Sequence, residues 1–441
     1  MRFTRVAGLC LLFSLLLATQ TNAQTNTPNI GDYQTAGTAF NWDATGNWER
    51  WDGSRWVRNP PEGYPGQDPN TGTVTILAGA RVTIDASVPP QNTIGGLVVD
   101  GGGTLQFDNT NRTLNIGSGG VTVNAGGTFQ VTSAAPSTTH TINITGGGSF
   151  RNDGTVNFRI VSGVITDVAN LFLSGNLEGT GTSSTFNIIT FNGTNDQTIT
   201  IGGIIDNIQA VTYNNTGTAP NNRIINESTV FTDALTRRQT LAGATNISTF
   251  TRGNYVHDVD ETYLVSNASI TIPAAMTVTV EQGTMNFAHD NADPPPVLTL
   301  SGNLVINGGT VNASVNNTNT TNQFANSLNM NAANASITLN GGELNVGNTN
   351  TGFGNLRMSA DNQSVTVNGG TLRTERWVIG SGNTDNHTVT INGGVVRILP
   401  TVTTTDRVAL QFVQGTLVMN GGTMLIGENL TAIAEGATWC S

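Results

Sequence analysis

Four of the six tryptophans, Trp42, Trp48, Trp51 and Trp56, fall within one short stretch, with Asp43, Asp52 and Arg55 among them. Flat aromatic faces beside charged, hydrogen-bonding groups are what stacking on a sugar ring requires. Tryptophans this dense also fill the space between a cap and the body it covers. Residue type alone leaves both roles open, so the four stand as candidate glycan contacts. Two further groups combine imidazole and carboxylate, the ligands of metal sites: His257-Asp258-Val259-Asp260-Glu261 and His289-Asp290-Asn291-Ala292-Asp293. Neither has the central glycine and distal glutamate of a calcium loop, nor the glycine–aspartate nonapeptide of a calcium-binding β-roll. Both read as charged loops at strand ends, and no metal or other cofactor is expected.

The elements that would carry such groups are strands. Asn-Gly-Gly recurs in NLVINGGTVNA, SITLNGGELNV, SVTVNGGTLRT, TVTINGGVVRI and TLVMNGGTMLI. Apolar residues alternate on both sides of each turn: Asn340 has Ile337 and Leu339 before it and Leu344 and Val346 after it. Period-two alternation marks short strands with one buried face. Asn-Gly between strands ordinarily signals a hairpin. Return of the whole unit every 24 to 33 residues signals a solenoid instead, because one unit cannot bury its apolar face alone.

Nearer the N-terminus TVTILAGARVTI, LVVDGGGTLQF, VTVNAGGTFQV and TINITGGGSF repeat the template, and TVTVEQGTMNF opens the second block. A third apolar stretch lies between the later turns, as in Leu356-Met358 and Trp377-Ile379. The expected fold is therefore all-β, a parallel β-helix of about three short strands per coil. Some 14 coils at about 4.8 Å each would give a rod of roughly 65 Å. Glycine permits the positive-φ corner, and asparagine is the next most tolerant residue there.

Composition fits this reading. Only 11% of residues are charged, and Thr, Asn and Gly dominate. The net charge is −11 and there is no lysine. Nucleic acid is thereby disfavoured as a partner. Schiff-base chemistry and a phosphate-loop lysine are excluded.

Residues 1–23 read as a signal peptide, with Arg2 and Arg5 ahead of a short apolar run and cleavage after Thr21-Asn22-Ala23. That run is too short for a membrane anchor, and no later segment is long and apolar enough to span a bilayer. Residues 24–70 are expected to cap the open end, 71–150 to form solenoid block one, and 151–275 an irregular solenoid or inserted β region. Residues 276–432 form block two, and 433–441 read as a truncated end carrying the lone Cys440.

A catalytic β-helix would stack its acids in columns on the outer face, about 5 Å apart, near the spacing of a retaining glycosidase. Columns counted from the turns of block two show no paired acids, and Arg373 with Arg397 is the only stacked charge. Thr-x-Thr pairs at Thr277/Thr279 and Thr388/Thr390 have the form of an ice-binding array, which unequal coil lengths would spoil.

The tryptophan-rich opening followed by TVTILAGARVTID and IGGLVVDGGGTLQF resembles the start of large secreted bacterial surface proteins exported by type IX or autotransporter-like routes. FNGTNDQTITIGG, AVTYNNTG and STFTRGNYVHD are similar to a recurrent stretch of the same group. The resemblance implies an extracellular or outer-surface β-solenoid, structural or adhesive and without catalytic activity, with glycans or surface polymers as partners. A carbohydrate-binding or carbohydrate-cleaving β-helix, with its site in 151–275 or at the tryptophans, is the alternative, and an ice-binding solenoid a lesser one.

Overall fold

The computed structural model describes residues 27–427 apart from 133–136, 163–164, 182, 202, 206–207, 228, 232–247, 261, 266–267, 289–296, 315–325, 348–353, 381–385 and 400–408. The expectations for residues 1–23 and 433–441, and for the His289 group, lie outside these residues. Among the described residues the regular structure is strands and two short 3₁₀ turns, Thr45–Asn47 and Pro90–Asn92. No described helix is long and apolar enough to cross a membrane.

The chain is a parallel β-helix. Strand Ser364–Val367 buries Val365 and Val367 and turns Ser364 and Thr366 outward. It pairs in parallel with Ser336–Leu339 of one neighbouring coil and Thr388–Ile391 of the other. Thr371–Thr374 and Arg376–Ile379 complete that coil and join two further sheets, so block two has three faces. Like residues stack on like: Leu344, Leu372 and Val396 share one column, and Leu356 and Trp377 another.

The Asn-Gly-Gly turns explain themselves residue by residue. A Cβ on the first glycine, Gly369, would lie 2.5 Å from the Asn340 carbonyl oxygen of the coil before. The second, Gly370, has φ +70° and the same close approach to Gly342. Asparagine was expected to tolerate positive φ, but none of the five turn asparagines is among the positive-φ residues. Their side chains form a ladder instead. Asn307 Nδ2 donates to Glu281, Asn340 to Asn307, Asn368 to Asn340, Asn392 to Asn368 and Asn420 to Asn392, at 2.7 to 2.8 Å.

Ladder partners are 33, 28, 24 and 28 residues apart, yet the strands on either side stay in register. The outward serine and threonine positions therefore stay aligned, with Ser336, Ser364 and Thr388 in one column.

Between the two blocks the coil changes shape. Thr113–Val123 pairs through its first half with Thr138–Ile144 and through its second with Phe150–Asn152. The two ladders advance side by side and rejoin in Ser248–His257, which pairs with both Ala210–Asn214 and Arg223–Asn226. Between these bent strands the two ladders run separately, as in Ile188–Phe191 and Gln197–Ile199, which is why residues 151–275 depart from the template.

At the N-terminal end Tyr33–Thr35 pairs in parallel with Thr73–Ile76 of the first coil and antiparallel with Trp48–Trp51, which pairs antiparallel with Trp56–Arg58. The hairpin covers an edge that would otherwise be open to another strand.

Candidate functional site

The four tryptophans divide into two pairs. Trp42 and Trp48 are fully buried. Trp42 Nε1 donates to the Pro65 carbonyl at 2.9 Å and Trp48 Nε1 to that of Trp42 at 2.8 Å, and the rings meet edge-on at 5.1 Å. With faces and N–H groups used inside the cap, they have nothing left for a ligand. Trp51 and Trp56 oppose each other across the hairpin, ring centroids 5.5 Å apart, and are half-buried. Of the four candidates, only these keep accessible ring surface.

The structure contains an acid column that turn-counting missed. Asn41 pairs with Thr83, and Thr83 with Gln106. Two residues on, Asp43, Asp85 and Asp108 therefore stack on successive coils. The signal was present as an aspartate ending FNWD, VTID and LQFD. The Asp43 amide donates to an Asp85 carboxylate oxygen at 3.2 Å. Desolvation, then the neighbouring Asp85 charge, raises the Asp43 pKa. Asp108 is held by the Arg112 guanidinium through both carboxylate oxygens. The column thus places a carboxyl of raised pKa next to a second acid, and beyond them an ion pair.

Two histidines are structural. His140 Nδ1 accepts the Arg112 amide, so its Nε2 carries the proton toward Asp167. Thr138 donates to the same Asp167 oxygen. All three are buried, so their contacts are with one another inside the core. His257 was read as part of a charged loop; it points inward instead, stacked on Tyr263 at 5.7 Å. Burial lowers its pKa to about 4. Among the described residues no group of three or more His, Cys, Asp or Glu could hold a metal ion.

A half-open concavity lies between the two bent strands, at the ends of one ladder. Ile144, Leu173 and Phe191 stack in register, so Thr145, Ser174 and Asn192 follow as a column at the strand ends. With Gly146, Gly147, Gly193, Thr194 and Asn195 they line a cleft of about 480 Å³. That is large enough for a small ligand. Ser174 Oγ accepts the Gly147 amide at 2.9 Å, and Thr145 Oγ1 donates to the Ile116 carbonyl at 3.2 Å. Asn192 Oδ1 is buried and has no hydrogen-bond partner. The lining holds no ionisable side chain. It can accept and donate hydrogen bonds to an uncharged polar ligand, and it cannot move a proton as an acid–base pair does.

Residues 55–185 match the family model of the G8 domain. The G8 domain is found in extracellular proteins, so this segment, less than a third of the chain, is similar to an extracellular domain. The match ends at Thr185, the last residue of Ser183–Thr185, which closes the six-stranded sheet of block one. Asp85, Asp108, Thr145 and Ser174 fall inside the G8-like segment, and Asn192 just beyond it. Neither the curated proteins nor the solved structures yield a match to the chain.

Proposed function

We infer that this protein is a secreted or cell-surface β-solenoid that acts as a structural and adhesive segment, without catalysis, and holds uncharged glycan in the 144–195 cleft. The observation that carries this reading is the lining of that cleft: threonine, serine, asparagine and glycine around one unpartnered buried acceptor, Asn192 Oδ1. A buried acceptor without a partner costs free energy that a ligand hydroxyl would recover. The G8-like segment supports the extracellular setting, and the Asn and Thr ladders support a passive rod.

The test is a glycan array probed with the soluble chain, beside an assay for new reducing ends on polysaccharides. Binding to a neutral glycan should fall about tenfold in N192A, the equivalent of one buried hydrogen bond. No reducing ends should appear. Release of oligosaccharide that is abolished in D85N would refute the non-catalytic reading, and binding lost in W51A but kept in N192A would move the contact to the cap.

A further inference from the structure

The chain is acidic as a whole, yet one band of block two is not. Arg373 and Arg397 lie opposite each other in register on the outer face formed by Thr371–Thr374 and Val395–Ile398. On the adjoining face Arg357 of Asn355–Met358 and Arg376 of Arg376–Ile379 sit on neighbouring coils, close enough for the Arg357 charge to act on Arg376. A single residue, Glu375, separates Thr371–Thr374 from Arg376–Ile379, so four guanidiniums occupy three successive coils around one edge.

Two described acids lie near the band. Glu375 is buried, and its carboxylate accepts the Gly354 amide. Glu343 is exposed on the same face but lies opposite Thr371, diagonal to Arg373. Neither Arg373 nor Arg357 has an ion-pair partner among the described residues, and the Nε of each is buried without a hydrogen bond. Arg376 is oriented by Gln411, to which its Nη2 donates at 2.6 Å. Like charges placed directly opposite across strands repel, and the repulsion goes once an anion bridges them.

We propose that this arginine edge binds an acidic polysaccharide, carboxylate- or sulfate-bearing, laid along the solenoid axis. Guanidinium forks pair with planar carboxylates and with sulfate through two parallel hydrogen bonds, which ammonium groups cannot match. Stacking at the coil spacing of about 4.8 Å presents the forks as a row, suited to a polymer with charges along its length. The net charge of −11 opposes any polyanion away from the band, so contact should be confined to these coils.

The experiment measures binding of the full chain to polygalacturonate and to chondroitin sulfate, with dextran and single-stranded DNA as comparators. Binding to at least one acidic polysaccharide is expected, about tenfold weaker or more in R373Q/R397Q, unchanged in R81Q, and abolished near 1 M salt, where the Debye length is about 3 Å. R357Q, on the adjoining face, should give a smaller loss, and it keeps the test open should the double variant fold poorly. Equal binding by the parent and R373Q/R397Q, no binding to either polysaccharide, or DNA bound as tightly as both would each overturn the proposal. The cleft reading is separate: R373Q/R397Q should leave a neutral-glycan signal intact, and N192A should leave polygalacturonate binding intact.

Discussion

Gly370→Ala and Gly147→Ala form a matched pair that isolates how tightly the coils stack. Both glycines hold positive φ, +70° and +81°, so each alanine incurs the left-handed penalty of about 1–2 kcal/mol, partly offset by a stiffer unfolded chain. A Cβ on Gly147 meets nothing within 4 Å. Its net cost should be about 1 kcal/mol. A Cβ on Gly370 would come 2.3 Å from the Gly342 oxygen and 2.8 Å from the Gly341 carbonyl carbon, both backbone atoms of the coil before. Backbone cannot swing aside as a side chain can, so the coils must part. That Gly342 oxygen accepts the Thr371 amide at 2.9 Å, and losing the bond adds about 1–3 kcal/mol. The total for Gly370→Ala is about 3 kcal/mol, and the pair should differ by about 2. Solenoid stability is local, so the assay is native-state hydrogen exchange, not a melting temperature. Thr371 should exchange roughly thirtyfold faster in Gly370→Ala than would follow from φ alone, while amides near Gly147 change about fivefold in their own variant. Equal acceleration at both sites would show that φ, not coil contact, dictates glycine at these turns.

His257 makes stability pH-dependent with a defined sign. Its folded pKa of about 4 lies below the unfolded 6.5, so its contribution is complete above pH 6.5 and is lost as pH falls toward 4, by about 3 kcal/mol in all. Burial also lowers the His140 pKa, so that residue adds in the same sense. Denaturant unfolding between pH 7 and 4 should show the slope, and H257F should flatten it; an identical slope in H257F would assign the effect elsewhere. Trp377 is fully buried with an unpartnered Nε1, whereas Trp48 Nε1 is bonded to Trp42. W377F should therefore cost less than W48F by about 1 kcal/mol, read from hydrogen exchange of the strand amides beside each tryptophan. In the asparagine ladder N368A removes two side-chain bonds and N420A one, so exchange at neighbouring turn amides should rise more for N368A. An equal rise would mean the exposed ladder adds nothing.

The architecture was readable because burial leaves a period in the text. Val365 and Val367, or Val389 and Ile391, alternate with polar neighbours, and no hairpin explains their return one coil later at the same offset from a turn. The ladder was not readable, since an asparagine tolerated at a corner and one bonded to its counterpart in the next coil look identical in one copy of a sequence. The acid column escaped for a different reason. The columns read from the turns belong to block two, whereas Asp85 and Asp108 lie in block one and Asp43 in a cap with no glycine turn to anchor a count. The cleft offered no contrast at all, being built from the commonest residue types of the chain.

The cleft has a further cause. In a solenoid each residue maps to a face by its offset from the last corner, and the map holds while every coil feeds the same ladders. Thr113–Val123 and Ser248–His257 break it, because each serves two ladders that run separately between them. The 144–195 cleft lies within that interval, at the ends of stacked strands. Uniform coils, by contrast, close over their core and leave only ladders and charge outside, as at Arg373 and Arg397. The proposed glycan cleft therefore lies where the repeat is irregular, and the proposed polymer-binding edge where it is regular.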